Sequence, residues 1–150
     1  MYKGFPVGYL LFWINALNGN SRQIGTDAKQ KCPRLLIVDG QQRLTALYAV
    51  LKGRNVVRSD YTEQSIQIAF RPCDARFEVV DAAIRKDPEF IANISELWSG
   101  THARNRFVKD FIKSLREYRT VSDDEEDKLN ESIDKLYDLQ HYPFTALELS

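Results

Sequence analysis

The hydrophobic pattern changes period once in the centre of the chain, between residues 34 and 52. A continuous apolar run over 35–38 is typical of a strand buried on both faces. Asp39 and Gly40 end the run, and from Leu44 onward the apolar residues recur at i, i+3, i+4 and i+7, which is the period of a helix. The pattern therefore predicts a buried strand that turns sharply into a helix over 41–52.

Three further apolar segments predict strands. Residues 8–14 are apolar and rich in aromatic side chains, which favours a buried strand, with a short helix as the alternative at this length. Residues 65–70 alternate between apolar and polar and predict a half-exposed strand, paired antiparallel with 76–80 across a turn at 72–74. A final strand is predicted over 144–149.

The last third of the chain predicts two amphipathic helices. The first spans about 102–119 and has one apolar face. The second begins at Ser122, which forms a capping box with Glu125, and it ends before Pro143. Gly53 is placed to end the earlier helix over 41–52 in a left-handed conformation. The remaining segments are predicted as a loop over 18–33 and as short helical turns around 82–86 and 95–98.

Charge is distributed unevenly between these two helices. The first carries six basic residues against two acidic ones, a net charge of +4, and the second carries eight acidic residues against two lysines, a net charge of −6. A basic helix can contact the phosphates of DNA. A basic helix beside an acidic one more simply predicts a charge-complementary hairpin over 102–140.

Composition restricts the class of protein. The chain has 150 residues, 43% of them hydrophobic and 28% charged, which suits one globular domain. The formal net charge is zero, so nothing attracts the whole chain to nucleic acid. The start of the chain lacks the pattern of a signal peptide, and its longest apolar run, 9–14, is too short to span a bilayer. These features predict a cytoplasmic protein without membrane contact.

Common sites of catalysis and metal binding are not evident in the pattern. Cys32 and Cys73 fit no metal spacing and predict two reduced thiols, and His102 and His141 have no metal-ligand partners at suitable spacing. No Ser-His-Asp set, Walker A sequence or G-x-G-x-x-G sequence occurs. No metal site of protein ligands is expected, and the two tryptophans, at positions 13 and 98, are predicted to lie in the core.

The turn between the predicted strand and helix is rich in polar residues. Asp39 and Gln42 fit the first and last positions of a capping box, which would satisfy the amides of the helix. A cap does not require Gln41 and Arg43, however. The start of a helix also attracts anions, and the planar guanidinium of Arg43 can hold a phosphate at two points. This density of functional side chains favours a binding site.

The sequence Asp39-Gly40-Gln41-Gln42-Arg43, between an apolar strand and Leu-Thr-x-Leu, resembles the DGQQR motif of the amino-terminal domain of GmrSD-type restriction endonucleases. That family belongs to the ParB/sulfiredoxin-like superfamily. Lys3–Trp13 resembles the stretch of the family just upstream of the motif, and Tyr142–Leu149 resembles a later strand. The resemblance implies an α+β fold, with a small mixed sheet that carries the DGQQR turn at one end and a flanking helical hairpin.

The resemblance also implies a function. It points to a nucleotide-binding and nucleotide-hydrolysing, DNA-sensing domain of a modification-dependent, type IV-like restriction system in phage defence, coupled to a nuclease domain or subunit. The ligand would be a nucleoside triphosphate with Mg²⁺. The catalytic residues would be Asp39, Gln41, Gln42 and Arg43, and the nucleotide-binding residues would be Gly40, Gln41, Gln42 and Arg43. Arg43 would grip phosphate, the glutamines would orient water, and Asp39 would hold Mg²⁺ through water or fix the turn.

The chain also departs from the family pattern. It lacks the usual upstream segment with a Gln-Arg pair, the continuation into an Asn/Gly-containing motif, and a His-Asn-His nuclease module. These departures predict a single partial domain over 1–150, cut at both ends. Two alternative functions follow, an inactive truncated fragment and a ParB-like DNA-binding module without hydrolysis.

Overall fold

The computed structural model of the protein describes residues 1–14, 35–57, 62–99 and 104–149. The predicted loop over 18–33, Cys32 and His102 lie outside the described residues. Within these ranges the α-helices are α1 (Gln41–Lys52), α2 (Arg104–Tyr118) and α3 (Asp123–Tyr137). The strands are β1 (Tyr9–Ile14), β2 (Leu35–Asp39), β3 (Asn55–Val57), β4 (Glu63–Ser65), β5 (Ile68–Arg71), β6 (Arg76–Val79) and β7 (Thr145–Leu149). Short 3₁₀ helices cover Ile84–Lys86, Ile94–Trp98 and Asp138–His141.

A three-stranded mixed sheet brings the two ends of the chain together. Its strand order is β2–β1–β7, with β1 antiparallel to β2 and parallel to β7. Phe12 pairs with Ile37 on one side, and Tyr9 pairs with Thr145 on the other. Two antiparallel pairs, β3–β4 and β5–β6, form separate small sheets. This arrangement confirms the predicted α+β class, the small mixed sheet and the strand over residues 8–14.

The prediction that β2 is buried on both faces was wrong. Its residues are only partly buried, and Val38 is 52% exposed. The cause is position, because β2 is an edge strand in the described part of the sheet and pairs there with β1 alone. An apolar run on its own does not distinguish an edge strand from a central one.

Helix α1 has the predicted bounds but not the predicted cap. Its N-cap is Gly40, at φ 93°, and no side chain caps the helix. Asp39 remains in the strand because it pairs with Leu11, so the chain reverses one residue later than a capping box on Asp39 requires. At the other end Gly53 is left-handed, at φ 61°, as predicted, and its amide bonds to the Ala49 carbonyl.

The core lies among the β5–β6 pair, the 3₁₀ helix Ile94–Trp98 and the α2–α3 hairpin. The largest cluster of buried residues contains Phe70, Ile91, Ile94, Leu97, Ile133 and Leu136. The predicted β5–β6 pairing is confirmed, but the predicted alternation in exposure fails at Ala69. Ala69 and Phe70 are both fully buried, so both faces of β5 are covered at this point.

The two helices form the charge-complementary hairpin that the sequence predicts. Arginines of α2 and of the turn after it bond to carboxylates of α3 in the pairs Arg104–Asp134, Arg116–Glu126 and Arg119–Glu125. Ser122 accepts a bond from the Glu125 amide, which confirms the predicted cap of α3. The carboxylate of Glu125 bonds to Arg119, at 2.6 Å, rather than closing a reciprocal capping box.

The two tryptophans differ in burial. Trp98 packs against the core cluster, and its indole N–H donates to the Tyr137 carbonyl at 3.0 Å, as expected of a core residue. The same prediction was wrong for Trp13, which is 55% exposed. Trp13 lies in register with Leu36 and Leu149 on a face of the three-stranded sheet where Val38 is also exposed, so this face remains open in the described residues.

Candidate functional site

The DGQQR turn lies at the surface, where β2 ends and α1 begins. The Asp39 side chain is 74% exposed, and Gln41 and Gln42 are both exposed. Gly40, in contrast, is buried beneath the turn. The structure therefore presents three of the five motif side chains to solvent, on one short segment.

The first turn of α1 carries no capping side chain and no acidic residue. The first intrahelical bond runs from the Leu44 amide to the Gly40 carbonyl, at 3.0 Å. The amides that precede Leu44 point out of the helix end, where the partial positive charge of the helix is greatest. This end of α1 can therefore accept an anion at the position where Asp39 was predicted to cap the helix.

Arg43 lies in the first turn of α1 and bonds to the backbone where β1 begins. Its Nη1 donates to the Val7 carbonyl at 2.7 Å, and its Nη2 donates to the Tyr9 carbonyl at 2.8 Å. Nη2 also reaches Oδ2 of Asp39, at 3.3 Å. The side chain of Arg43 is 38% exposed, so its charge lies beside the helix end without being buried.

These bonds limit how Arg43 can hold a phosphate. A guanidinium has five N–H donors, and each of its two paired-donor edges includes Nη2. In this structure both hydrogens of Nη2 are used, one by Tyr9 and one by Asp39. In this position Arg43 can offer a phosphate its charge and single hydrogen bonds, but not the two-point grip that the sequence suggests.

Two glycines make room for Arg43. Gly8, at φ 93°, lies between the two acceptor carbonyls, and a β-carbon there would overlap Nη1 of Arg43. A β-carbon at Gly40 would lie 2.6 Å from Cδ2 of Leu10 and 3.3 Å from Nη2 of Arg43. Sequence reasoning missed Gly8, because 34 positions or more separate Arg43 from the backbone atoms to which it bonds.

The expected Mg²⁺ ion fits this site only if a bound nucleotide supplies most of its ligands. No group of three or more His, Cys, Asp or Glu residues in the described ranges could hold a metal ion. Mg²⁺ commonly keeps several waters and uses one or two carboxylates together with substrate phosphates. Asp39 is an exposed carboxylate at the turn and can supply one such contact, so the ion would be held mainly by the nucleotide.

Other chemically capable residues lie away from the turn. A groove of about 480 Å³ between the segment 85–96 and α2 includes Phe90, Phe107 and Phe111 and none of the motif residues. Cys73 is an exposed residue, but desolvation of its sulfur atom and the negative charge of Asp74 raise the pKa of its thiol, which makes it a poor nucleophile. His141 is also exposed, in agreement with the prediction of a surface residue.

The fold and the turn together define a class, an α+β domain whose mixed sheet leads through an Asp-Gly-Gln-Gln-Arg turn into an uncapped helix. A family model described as the N-terminal domain of the GmrSD restriction endonuclease matches residues 1–149. The chain therefore belongs to the GmrSD N-terminal domain family, as the motif indicated. A search of curated proteins gave no match. None of the helices in the described residues has the length and apolar character needed to cross a bilayer.

Proposed function

We propose that this domain binds and hydrolyses a nucleoside triphosphate, and senses DNA, as part of a modification-dependent restriction system in phage defence. The family to which the chain belongs supports the restriction system. The observation that carries the nucleotide site is the uncapped end of α1, which has exposed glutamines and the charge of Arg43 beside it. A helix end of this kind suits phosphate.

Each motif residue has a role in this proposal. The amides after Gly40 receive phosphate oxygens, and Arg43 stabilises the negative charge that develops during phosphoryl transfer. Gln41 and Gln42 bind the phosphates through their side-chain amides and orient the attacking water, and both side chains are available for this because neither makes a hydrogen bond within the described residues. Asp39 contributes one water-mediated contact to Mg²⁺, which would otherwise be held by the phosphates.

A thermal melt with ligand tests the nucleotide site. The chain is melted with Mg²⁺ alone and with Mg²⁺ plus GTP, ATP or CTP. A nucleotide at a hundred times its Kd stabilises the fold by about 2.7 kcal/mol, a rise in Tm of roughly 5–10 °C for a domain of this size. The double variant Gln41→Ala, Gln42→Ala removes the rise. Gln64→Ala, an exposed glutamine of β4, is the matched control and keeps it.

Two results would count against the nucleotide site. If no nucleotide shifts the melt of the unmodified chain, the binding proposal fails. If the rise in Tm survives both in the double glutamine variant and in Arg43→Ala, the nucleotide binds elsewhere. Hydrolysis is then measured as phosphate release by the variants that still bind.

The DNA-sensing part of the proposal has a separate support on α2. Arg104, Arg116 and Arg119 pair with carboxylates of α3, whereas Lys109 and Lys113 are exposed and have no ion pair within the described residues. These two lysines lie four residues apart, on one face of the helix. They are available to the phosphate backbone of DNA.

Salt dependence tests this surface. Each phosphate that a lysine neutralises makes the slope of log affinity against log salt more negative by about 0.9. Lys109→Ala with Lys113→Ala removes two such contacts and therefore makes the negative slope shallower by nearly two, whereas Lys128→Ala with Lys86→Ala is the matched control and leaves the slope unchanged. DNA binding that ignores added nucleotide would favour the alternative of a ParB-like module without hydrolysis.

Three further parts of the proposal follow from the family. The DNA is proposed to be modified, since the family acts in restriction, and a nuclease domain or subunit is proposed as the partner that cuts it. A cytoplasmic location is proposed because restriction meets its DNA there. These parts are tested by pull-down of a nuclease partner and by comparing modified with unmodified DNA in the binding assay above.

A further inference from the structure

We infer that Arg43 is a positioning residue, and that Gly8 is its partner. The pair fixes the first turn of α1 against the segment that leads into β1. The inference rests on bonds and close approaches in the structure, and its effect on nucleotide affinity rests also on the proposed function. Neither the motif nor the family match draws attention to Gly8.

The bonds of Arg43 join two parts of the chain that are distant in sequence. Val7 and Tyr9 accept from Nη1 and Nη2, at 2.7 and 2.8 Å, and Gly8 lies between them. The carbonyls of Val7 and Tyr9 thus face the two terminal nitrogens of one planar group. A lysine ammonium is a single point donor on a flexible stem and does not reproduce this two-point arrangement.

Gly8 is required for this contact on two grounds. Its φ of 93° belongs to the region that favours glycine, and the position of a β-carbon is already occupied by the Arg43 guanidinium. Any other residue at position 8 would therefore displace the guanidinium or the backbone. Gly40, on the other side of Arg43, is similarly confined by Leu10.

The contact determines where the free amides of α1 lie. Asp39 pairs with Leu11, Gly40 lies over Leu10, and Arg43 bonds across to Val7 and Tyr9. The turn is therefore held by contacts with β1 and with Val7 just before it. Loss of the Arg43 bonds leaves the first turn of α1 attached through the strand pairing alone, so its amides no longer have a fixed position for an anion.

A double-mutant cycle tests the contact itself. Gly4 is the matched control for Gly8, because it also has a positive φ, of 81°, but a β-carbon there meets nothing within 4 Å. With Arg43 present, Gly8→Ala lowers Tm by roughly 5 °C more than Gly4→Ala does, since only Gly8→Ala displaces the guanidinium. In an Arg43→Ala background the two glycine variants lower Tm equally. Equal effects in both backgrounds would overturn the pairing of Arg43 with Gly8.

Amide hydrogen exchange tests the positioning. The Leu44 amide, which makes the first bond of α1, exchanges roughly tenfold faster in Arg43→Lys and in Gly8→Ala, because the turn opens locally. The Arg119 amide, which bonds to Leu115 at the end of α2, keeps its rate. If both amides accelerate equally, the bonds merely stabilise the whole fold and the positioning role is wrong.

Affinity for nucleotide separates position from charge. GTP, ATP and CTP with Mg²⁺ are titrated well below the Tm of each variant. Arg43→Lys keeps the charge but still loses at least tenfold in affinity, because the two-point contact with Val7 and Tyr9 is lost, and Gly8→Ala loses a similar factor. Near-normal affinity in Arg43→Lys would overturn the positioning role. If the unmodified chain binds no nucleotide, the proposed function fails, and the mutant cycle and the exchange rates still decide the role of Arg43.

Discussion

The helical hairpin and the three-stranded sheet differ in how completely they bury their apolar residues. Helices α2 and α3 contribute Ile112, Leu115, Leu129, Ile133 and Leu136 to the buried set. In the described part of the sheet, Leu10 is the one strand residue in that set, whereas Tyr9, Trp13, Val38, Leu147 and Leu149 are exposed. The candidate functional residues lie on the three-stranded sheet, the less buried of the two regions, at the end of β2.

The same contrast appears in how the helices begin. Helix α3 is capped by Ser122 and has four acidic residues in its first turn, so its amides and its dipole are satisfied within the chain. Helix α1 has no capping side chain and no acidic residue in its first turn. The first turn of α3 is therefore capped by the protein's own side chains, whereas the first turn of α1 is not.

The largest effect is expected when a buried residue of the hairpin is truncated, and an exposed residue of the sheet provides the comparison. Ile133 is fully buried and Leu147 is 50% exposed. Ile133→Ala lowers the free energy of unfolding by about 2–5 kcal/mol, because it leaves a cavity in the core. Leu147→Ala lowers it by less than about 1 kcal/mol. Urea denaturation of both variants measures the difference, and a comparable loss in Leu147→Ala would mean that the sheet is covered in solution.

A smaller effect is expected at the cap of α3. Ser122→Ala removes the acceptor of the Glu125 amide and lowers the free energy of unfolding by about 1 kcal/mol. Ser114, an exposed serine inside α2, provides the control, because Ser114→Ala removes no cap. The two variants are compared by thermal melts. A cost at Ser114 as large as that at Ser122 would show that the cap is not the cause.

Acid should lower the free energy of unfolding, because it protonates two carboxylates that are hydrogen-bonded to arginines. The hydrogen bonds of Arg71 to Asp74 and of Arg119 to Glu125 hold the pKa of both carboxyls below their usual values. A lowered pKa in the folded state contributes stability above the unfolded pKa, near pH 4, and this contribution is lost as the pH falls through the folded pKa. Stability should therefore fall as the pH drops below about 4.

Asp74→Asn sharpens this test. The variant is less stable than the unmodified chain at pH 7, and the gap closes as the pH falls below 4, because protonation of Asp74 then removes the charge-assisted bond to Arg71 from the unmodified chain as well. Asp127→Asn is the control, because Asp127 is exposed and forms no ion pair within the described residues. Urea midpoints measured across this range decide the matter, and a gap that is constant with pH would refute the assignment to Asp74.

Local patterns predicted the elements well, and contacts between distant segments account for what they missed. The helical period placed α1 at its observed bounds, and Gly53 was identified from its position after the last apolar turn. The cap was wrongly assigned to Asp39, because the pairing of Asp39 with Leu11 depends on a strand 28 positions earlier. The exposure of Trp13 likewise depends on which face of the sheet is covered, and an apolar run contains no such information.

In the candidate site, too, local patterns were predictable from the sequence and contacts between distant segments were not. The motif residues were found from their density at a strand-to-helix turn, and the structure places them there. The acceptors of Arg43 are backbone carbonyls, which are present at every residue and leave no signal in the sequence. Gly8 has a detectable identity, but its meaning comes from the guanidinium that occupies the space beside it.

The smallest effect on stability is expected for Asp39→Asn. This variant is also the most informative test of the turn between β2 and α1. The Asp39 carboxylate is 74% exposed, lies 3.3 Å from Nη2 of Arg43 and caps no amide, so its loss changes the free energy of unfolding by less than about 0.5 kcal/mol. Its charge nevertheless repels phosphate unless a cation lies between them. If Asp39 holds Mg²⁺ through water, Asp39→Asn weakens nucleotide binding in Mg²⁺ and strengthens it in EDTA. Titration of nucleotide under both conditions measures these opposite changes, and Asp127→Asn, an exposed acid far from the turn in sequence, should change neither. A loss of about 1 kcal/mol in stability would instead return Asp39 to the capping role that its position in the sequence suggests.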